Sequence, residues 1–481
     1  MNYVDFDAVG LAGLVRNGEV SPEELLTFAI DRTQKVNDLI NAVVLVQEQT
    51  ARKLIRNGLP EDALNGVPFL LKDLGAAAID FPSHMGSRLT SNTKFKQNST
   101  LYNRLASAGL VTFGRTTSPE SGIGATTEAK VYAGPTRNPW NLEHSTGGSS
   151  GGAAAAVATG IVPAAHASDG GGSIRIPASC CGLFGFKPSR GLLPKGPNAG
   201  EGWGGMSTDG FISRSVRDSA TLLDIVKGYE FGSPYSGPHM DTTFTQSLHT
   251  ETKPLKIAIC DTTFSGLSIH SECVKAVRNT ATILEDLGHS VEYASPGADH
   301  FGLARAWMCI VSCGVALDLQ KAQAERGEWA TLENVEQVTL SAATYAKEVT
   351  GQQYVEALEL IHKFGRDMAT FFNKYDLLLT PTLAEPPALL GRLSHEGKEF
   401  EHYRLGDGMM SEYAPFTVCF NASGQPAASL PLHMSSDGLP IGVQLAARFG
   451  EDNTLMSVCR QLEEARPWFA NFPTLDSTEA V

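Results

Sequence analysis

"LKIAICDTTFSGLSIHSECVKAVRNTATILEDLGHSVEYA", residues 255–294, carries the fold class. Residues 255–260 alternate as a strand does. Val274, Val277, Ala281 and Leu284 then recur at helical spacing on one face, and Gly288 ends that helix. "SVEYA" (290–294) reads as a further strand, which completes a β-α-β unit. The class is α/β.

Outward from that unit, "YDLLLTPT" (375–382) and "GLPIGVQLAA" (438–447) supply two more strands, the second approached through an Asp437–Gly438 turn. "GVPFLLKD" (66–73) is a short apolar run ending in Lys72 and Asp73, a buried strand with charge at its mouth. "GLVTFGRTT" (109–117) reads as another strand, and residues 1–60 read as helices. In "SPEELLTFAIDRTQKV" (21–36), Ser21 is an N-cap, Pro22 takes the first helical position and Glu24 completes a capping box. "FGSPYSGPHMD" (231–241) is the best boundary candidate and reads as a surface loop. One domain is expected over 1–481: a helical segment (1–60), a core carrying the chemistry (61–230), and the remaining strands and covering helices (231–481).

The 481 residues are 42% hydrophobic and 19% charged, the composition of a globular protein. Lys and Arg number 38 against 52 Asp and Glu, a formal charge of −14, which argues against nucleic acid as a direct partner. No segment has the roughly eighteen uninterrupted apolar residues of a membrane span. "MNYVDFDAVG" (1–10) lacks the basic start of a secretory signal. The eight cysteines are scattered, so reduced thiols in a cytoplasmic protein are expected. Cys309 and Cys313 in "WMCIVSCGVAL" (307–317) read as a buried helix face rather than a ligand set.

Two glycine-serine clusters lie close together, "STGGSSGG" (145–152) and "DGGGSIRIP" (169–177). Taken alone, each reads equally as turn geometry in a chain of 48 glycines. Gly148, Ser150 and Gly152 satisfy the G-x-S-x-G elbow of α/β-hydrolases, but that elbow should follow a strand, and "NPWNLEHS" (138–145) does not read as one. No phosphate-loop pattern occurs. His395, Glu396 and His402 lack the spacing of a metalloprotease helix.

The combination is more specific than its parts. "GVPFLLKD", "GGSSGG" (147–152), "SDGGGSIRIPAS" (168–179), "GLFGFKPSRG" (182–191), "FNASGQPAASLP" (420–431) and "DGLPIGVQL" (437–445) occur in that order. The set resembles the amidase signature family over most of the chain. Within the family it looks closest to bacterial amidases of the cyclic nylon-dimer hydrolase kind, with aryl acylamidases and urethane-cleaving enzymes as relatives.

The resemblance implies a central mixed β-sheet covered by helices on both faces. It also implies hydrolysis of a neutral carboxamide or carbamate with neither cofactor nor metal. Carried over by position, Ser173 is the acyl-forming nucleophile, Ser149 a bridging serine after a cis bond from Gly148, and Lys72 the base. The backbone N–H groups of Gly170, Gly171, Gly172 and Ser173 would form the oxyanion hole. Ile123, in "SGIGATTE" (121–128), falls where family members hold substrate through backbone, with Ser149 beside it. Ser150, Asp169 and Arg175 would orient the loop around the reacting groups. The family usually has Thr or Ala where this chain has Gly170, which predicts a more flexible loop start. His166 tempts a Ser-His reading, but it lies in a small-residue run that looks buried, and the family uses no histidine.

The physics of these residue types agrees. A serine hydroxyl attacks poorly unless a neighbour takes its proton. A lysine must be desolvated by roughly three pKa units, about 4 kcal/mol, to serve near neutral pH. Residues 67–71 can supply that environment if the Asp73 carboxylate points elsewhere. Successive glycine N–H groups can form a concave nest around a developing oxyanion. A small-molecule amide is then the expected partner, and the N-terminal helices would suit a homodimer contact. The competing reading is the amidase subunit of a glutamine-dependent tRNA amidotransferase.

Overall fold

The computed structural model describes residues 2–475. In chain order its strands are β1 (Val43–Val46), β2 (Pro68–Lys72), β3 (Val111–Thr116), β4 (Arg137–Asn138) and β5 (Asn141–Ser145). They continue with β6 (Ala164–Asp169), β7 (Phe184–Lys187), β8 (Thr208–Ser213) and β9 (Lys256–Ile259). β10 (Ser290–Tyr293), β11 (Leu377–Pro381), β12 (Ala427–Met434) and β13 (Pro440–Ala447) complete the set.

Eight strands form one large mixed sheet in the order β10-β9-β11-β13-β12-β7-β8-β6. β10, β9 and β11 are parallel, and every other neighbouring pair is antiparallel. The β-α-β unit read from the sequence is β9, the helix Ser271–Asp286 and β10. β13 is reached by a hairpin from β12, where Gly438 takes a φ of +76° after Asp437.

The apolar runs form strands because both sheet faces are buried. Ile257 and Ile259 belong to one apolar layer and Ala258 to the other; Leu377 and Leu379 are likewise divided from Leu378. Helices His300–Arg326 and Gly351–Phe372 cover the face of Ala258 and Leu378, and Val216–Val226, Ser271–Asp286 and Asp452–Ala465 cover the face of Ile257 and Ile259. This is the expected α/β class, a central mixed sheet flanked by helices.

A smaller sheet, β1-β3-β2, carries Lys72 at its end. The capping box at the helix Pro22–Ile40 is present, with Ser21 and Glu24 exchanging both backbone hydrogen bonds.

Two expectations are corrected. Residues 1–60 are not all helical: the β-branched run at β1 pairs antiparallel with β3. "NLEHS" is a strand after all, β5, because it folds back on β4 across a turn in which Asn138 Oδ1 accepts from Trp140 N. The helix His300–Arg326 is long and apolar enough by length and composition to cross a bilayer, although Arg305 and Asp318 interrupt its apolar run. Here its apolar side, including Leu303, Trp307 and Val311, packs into the core. Cys309 is buried on that helix and Cys313 half-buried.

Candidate active site

β2 ends on Lys72, whose side chain is fully buried. Its Nζ lies 2.6 Å from Ser149 Oγ and 2.9 Å from Ser168 Oγ. Burial pushes the Lys72 pKa down to about 7, against the pull of Asp209 and Asp169. The Asp73 carboxylate points elsewhere, as required: it accepts from His84 N and from the Tyr132 hydroxyl. The amine is therefore held between two hydroxyls rather than in an ion pair.

Ser149 follows a cis peptide bond from Gly148. A Cβ on Gly148 would come within 2.8 Å of backbone atoms of Gly124 and Thr126, so only glycine allows this close approach. Ser150, the elbow serine, is fully buried, and its Oγ exchanges hydrogen bonds with the backbone of Ser168 at 3.3 Å. A strand does precede this cluster and a helix, Gly151–Ala158, follows it. The elbow reading still fails, because Ser150 faces β6.

β6 ends at Asp169, and the loop of three glycines and Ser173 leads into the helix Arg175–Cys181. Asp169 and Arg175 are fully buried and joined by two hydrogen bonds of 2.9 Å. Burial opposes the Asp169 charge, but Arg175, Lys187 and Asn421 outweigh it and hold the carboxyl well below the usual carboxylate range. Arg175 also bonds Gln444 and Asn421, each at 2.7 Å, which ties the loop to β13 and to the helix Thr417–Ser423. Arg175→Met would leave a buried carboxylate without its counter-ion. It is expected to destabilise the fold by about 3–5 kcal/mol, measured as a lower urea midpoint. An unchanged midpoint would mean that the pair does not anchor the loop.

The same carboxylate corrects one expectation. Gly172 N–H donates to Asp169 Oδ1 at 2.7 Å, so it is not available as an oxyanion donor. The N–H groups of Gly170, Gly171 and Ser173 have no partner among the described residues. Gly170 is not a flexible start to the loop either. A Cβ there would stand 2.4 Å from the Trp203 ring, and the Gly170 carbonyl accepts from Trp307 Nε1 at 2.9 Å. The missing side chain makes room for an indole.

Ser149 and Ser173 open into one cavity of about 330 Å³. Leu74, Met85, Phe95, Leu101 and Trp203 give it apolar walls, and Lys195 is paired with Asp209 at its edge. Ile123 does not line it. Its side chain is in the core, while Ser121 and Gly122 face the cavity in its place. His166 is fully buried; its Nδ1 accepts from Lys72 N and its Nε2 lies 3.1 Å from Asp209 Oδ1.

Sequence reasoning missed Ser168, Asp209 and Trp203. Ser168 had a signal, since it lies two positions after His166 in a strand and thus on the same face. Trp203 had none, because its ring meets Gly170 only through the tertiary fold.

The arrangement offers a hydroxyl on a cavity wall, free backbone donors beside it, and a second hydroxyl bonded to a desolvated amine. That equipment suits acyl transfer. A sequence model of the family described as Amidase matches residues 24–456. The 6-aminohexanoate-cyclic-dimer hydrolase of a Pseudomonas species is 36% identical over 99% of this chain and 98% of its own length. The solved structure of a 6-aminohexanoate cyclic dimer hydrolase complexed with substrate aligns with a TM-score of 0.92 at 34% identity, over 98% of this chain and 99% of that one. A bacterial aryl acylamidase of the amidase signature family aligns with a TM-score of 0.88 at 29% identity, over 96% of both chains.

Proposed function

The chain belongs to the amidase family and hydrolyses amide bonds, and from that premise we propose a Ser173–Ser149–Lys72 triad acting through an acyl-enzyme. The observation that carries it is the 2.6 Å contact of the buried Lys72 amine with Ser149 Oγ, a serine that lines the same cavity as Ser173. Ser173 Oγ attacks the carbonyl carbon as its proton passes through Ser149 to Lys72. The oxyanion meets the N–H groups of Gly170, Gly171 and Ser173. Lys72 then returns the proton through Ser149 to the leaving nitrogen, the C–N bond breaks, and the amine departs. Water, deprotonated along the same path, releases the acid.

Asp169 and Arg175 position the loop, and Ser150 ties the Ser149 turn to β6. The apolar walls and the pairing of Lys195 favour uncharged carboxamides or carbamates with apolar acyl or aryl parts. Esters with the same acyl group would be cleaved as a side activity. The amidotransferase-subunit reading has less support, because the 36% identical relative is a hydrolase by name.

Ser149→Ala is expected to leave the protein folded and lower kcat about a hundredfold or more, the scale of a lost proton-transfer group. Activity within threefold of the parent would remove Ser149 from the relay. A panel of anilides, carbamates and free glutamine tests the substrate class. Glutamine turnover faster than that of a simple anilide would favour the amidotransferase reading.

A further inference from the structure

β6 and β8 run antiparallel with Ser168 opposite Asp209 and His166 opposite Phe211. Opposed residues share a sheet face, and so do residues two apart along a strand. His166, Ser168 and Asp209 therefore crowd the face that receives Lys72. Lys72 Nζ donates to Ser168 Oγ, so a carboxylate stands beside the residue that holds the amine. Left to itself, that carboxylate would pair with Lys72, and a paired ammonium cannot accept a proton.

Its oxygens are engaged elsewhere. Asp209 Oδ2 lies 2.8 Å from Lys195 Nζ, and Oδ1 lies 3.1 Å from His166 Nε2. Because His166 Nδ1 accepts from Lys72 N, the ring proton is on Nε2, and a neutral imidazole donates to Asp209. Other charged groups near Lys72 are already committed. Asp169 on β6 is bonded to Arg175, Asp73 just after β2 to Tyr132, and Arg115 on β3 donates to the Lys72 carbonyl at 2.7 Å. Lys195, 19% exposed, is the accessible member of the set.

Resting on the proposed role of Lys72 as base, we infer that Lys195 is a positioning residue: with His166 it holds the Asp209 carboxylate off Lys72, which keeps the base uncharged at rest.

The test follows the rate at which a neutral alkyl fluorophosphonate labels Ser173 as a function of pH. It compares the parent, Lys195→Met, Lys195→Arg, Asp209→Asn and Lys72→Ala. In Lys195→Met the freed carboxylate turns to Lys72, and the acid limb is expected to move up by about one to three pH units. The high-pH plateau should stay within a few-fold of the parent, and Lys195→Arg should keep the parent limb. In Asp209→Asn the limb should move down, which tests the same link even if Lys195→Met does not fold. A limb unmoved in both variants, with labelling slower at every pH, would reduce Lys195 and Asp209 to structural roles and overturn the inference. An unmoved limb with a raised KM for anionic amides alone would make Lys195 a substrate contact and overturn it as well. A parent limb that survives in Lys72→Ala would instead overturn Lys72 as base, a separate failure.

Discussion

Ser173→Ala is expected to abolish both amide turnover and labelling by a fluorophosphonate, a loss of about 10⁴- to 10⁶-fold in kcat. Ser173 lies on the cavity wall, 9% exposed, after a loop pinned through Asp169, Arg175 and Asn421. Ser150, the other serine with a nucleophile pattern, is fully buried with its Oγ on the backbone of β6. Peptide mapping of the labelled parent should place the adduct on Ser173. An adduct on Ser150, or turnover retained by the alanine variant, would overturn the assignment. The variant should unfold at the parent's urea midpoint, since the hydroxyl has no bonding partner among the described residues.

The second large effect falls on Lys72. Lys72→Ala is expected to lower kcat/KM for amides about 10³- to 10⁴-fold, the upper range for an acid-base group. An ester with the same acyl group should suffer less. An amide nitrogen must be protonated before the C–N bond breaks, whereas a phenoxide leaves without that proton. The amide-to-ester ratio should therefore fall about tenfold or more, equal to roughly 1.4 kcal/mol of selective transition-state loss. The parent should also lose activity as pH falls. Below its pKa of about 7, set mainly by burial, Lys72 is an ammonium and cannot take the proton of Ser173 through Ser149. Activity rises through that value to a plateau above it. An unchanged ratio in the variant, measured across pH, would confine Lys72 to structure or uniform binding.

Much of this was legible in residue order. The run Pro68–Leu71 is apolar and ends on a lysine, the pattern of a strand covered on both faces, and such cover buries the amine and lowers its affinity for a proton. Periodicity placed β9, its following helix and β10, because alternation and helical spacing are local consequences of which face is covered. The two serine clusters acquired meaning from the family resemblance that their order after Lys72, with the later motifs, carries. β5 escaped notice because "NLEHS" lacks β-branched residues and is held by its partner strand rather than by propensity.

The sequence by itself determined the α/β class, the capped helix at Pro22, and which lysine and serines to compare. Only the tertiary structure decided what surrounds them. Gly172 loses its free N–H to Asp169, and Asp169 is held by Arg175 and Asn421, the latter 252 positions along the chain. Asp209 meets His166 across the β6–β8 register, and Trp203 fills the space beside Gly170. Local pattern records burial and direction for one element at a time. A buried donor or charge takes whichever partner the packed neighbours bring within 3 Å or so, and those neighbours are chosen by the fold as a whole.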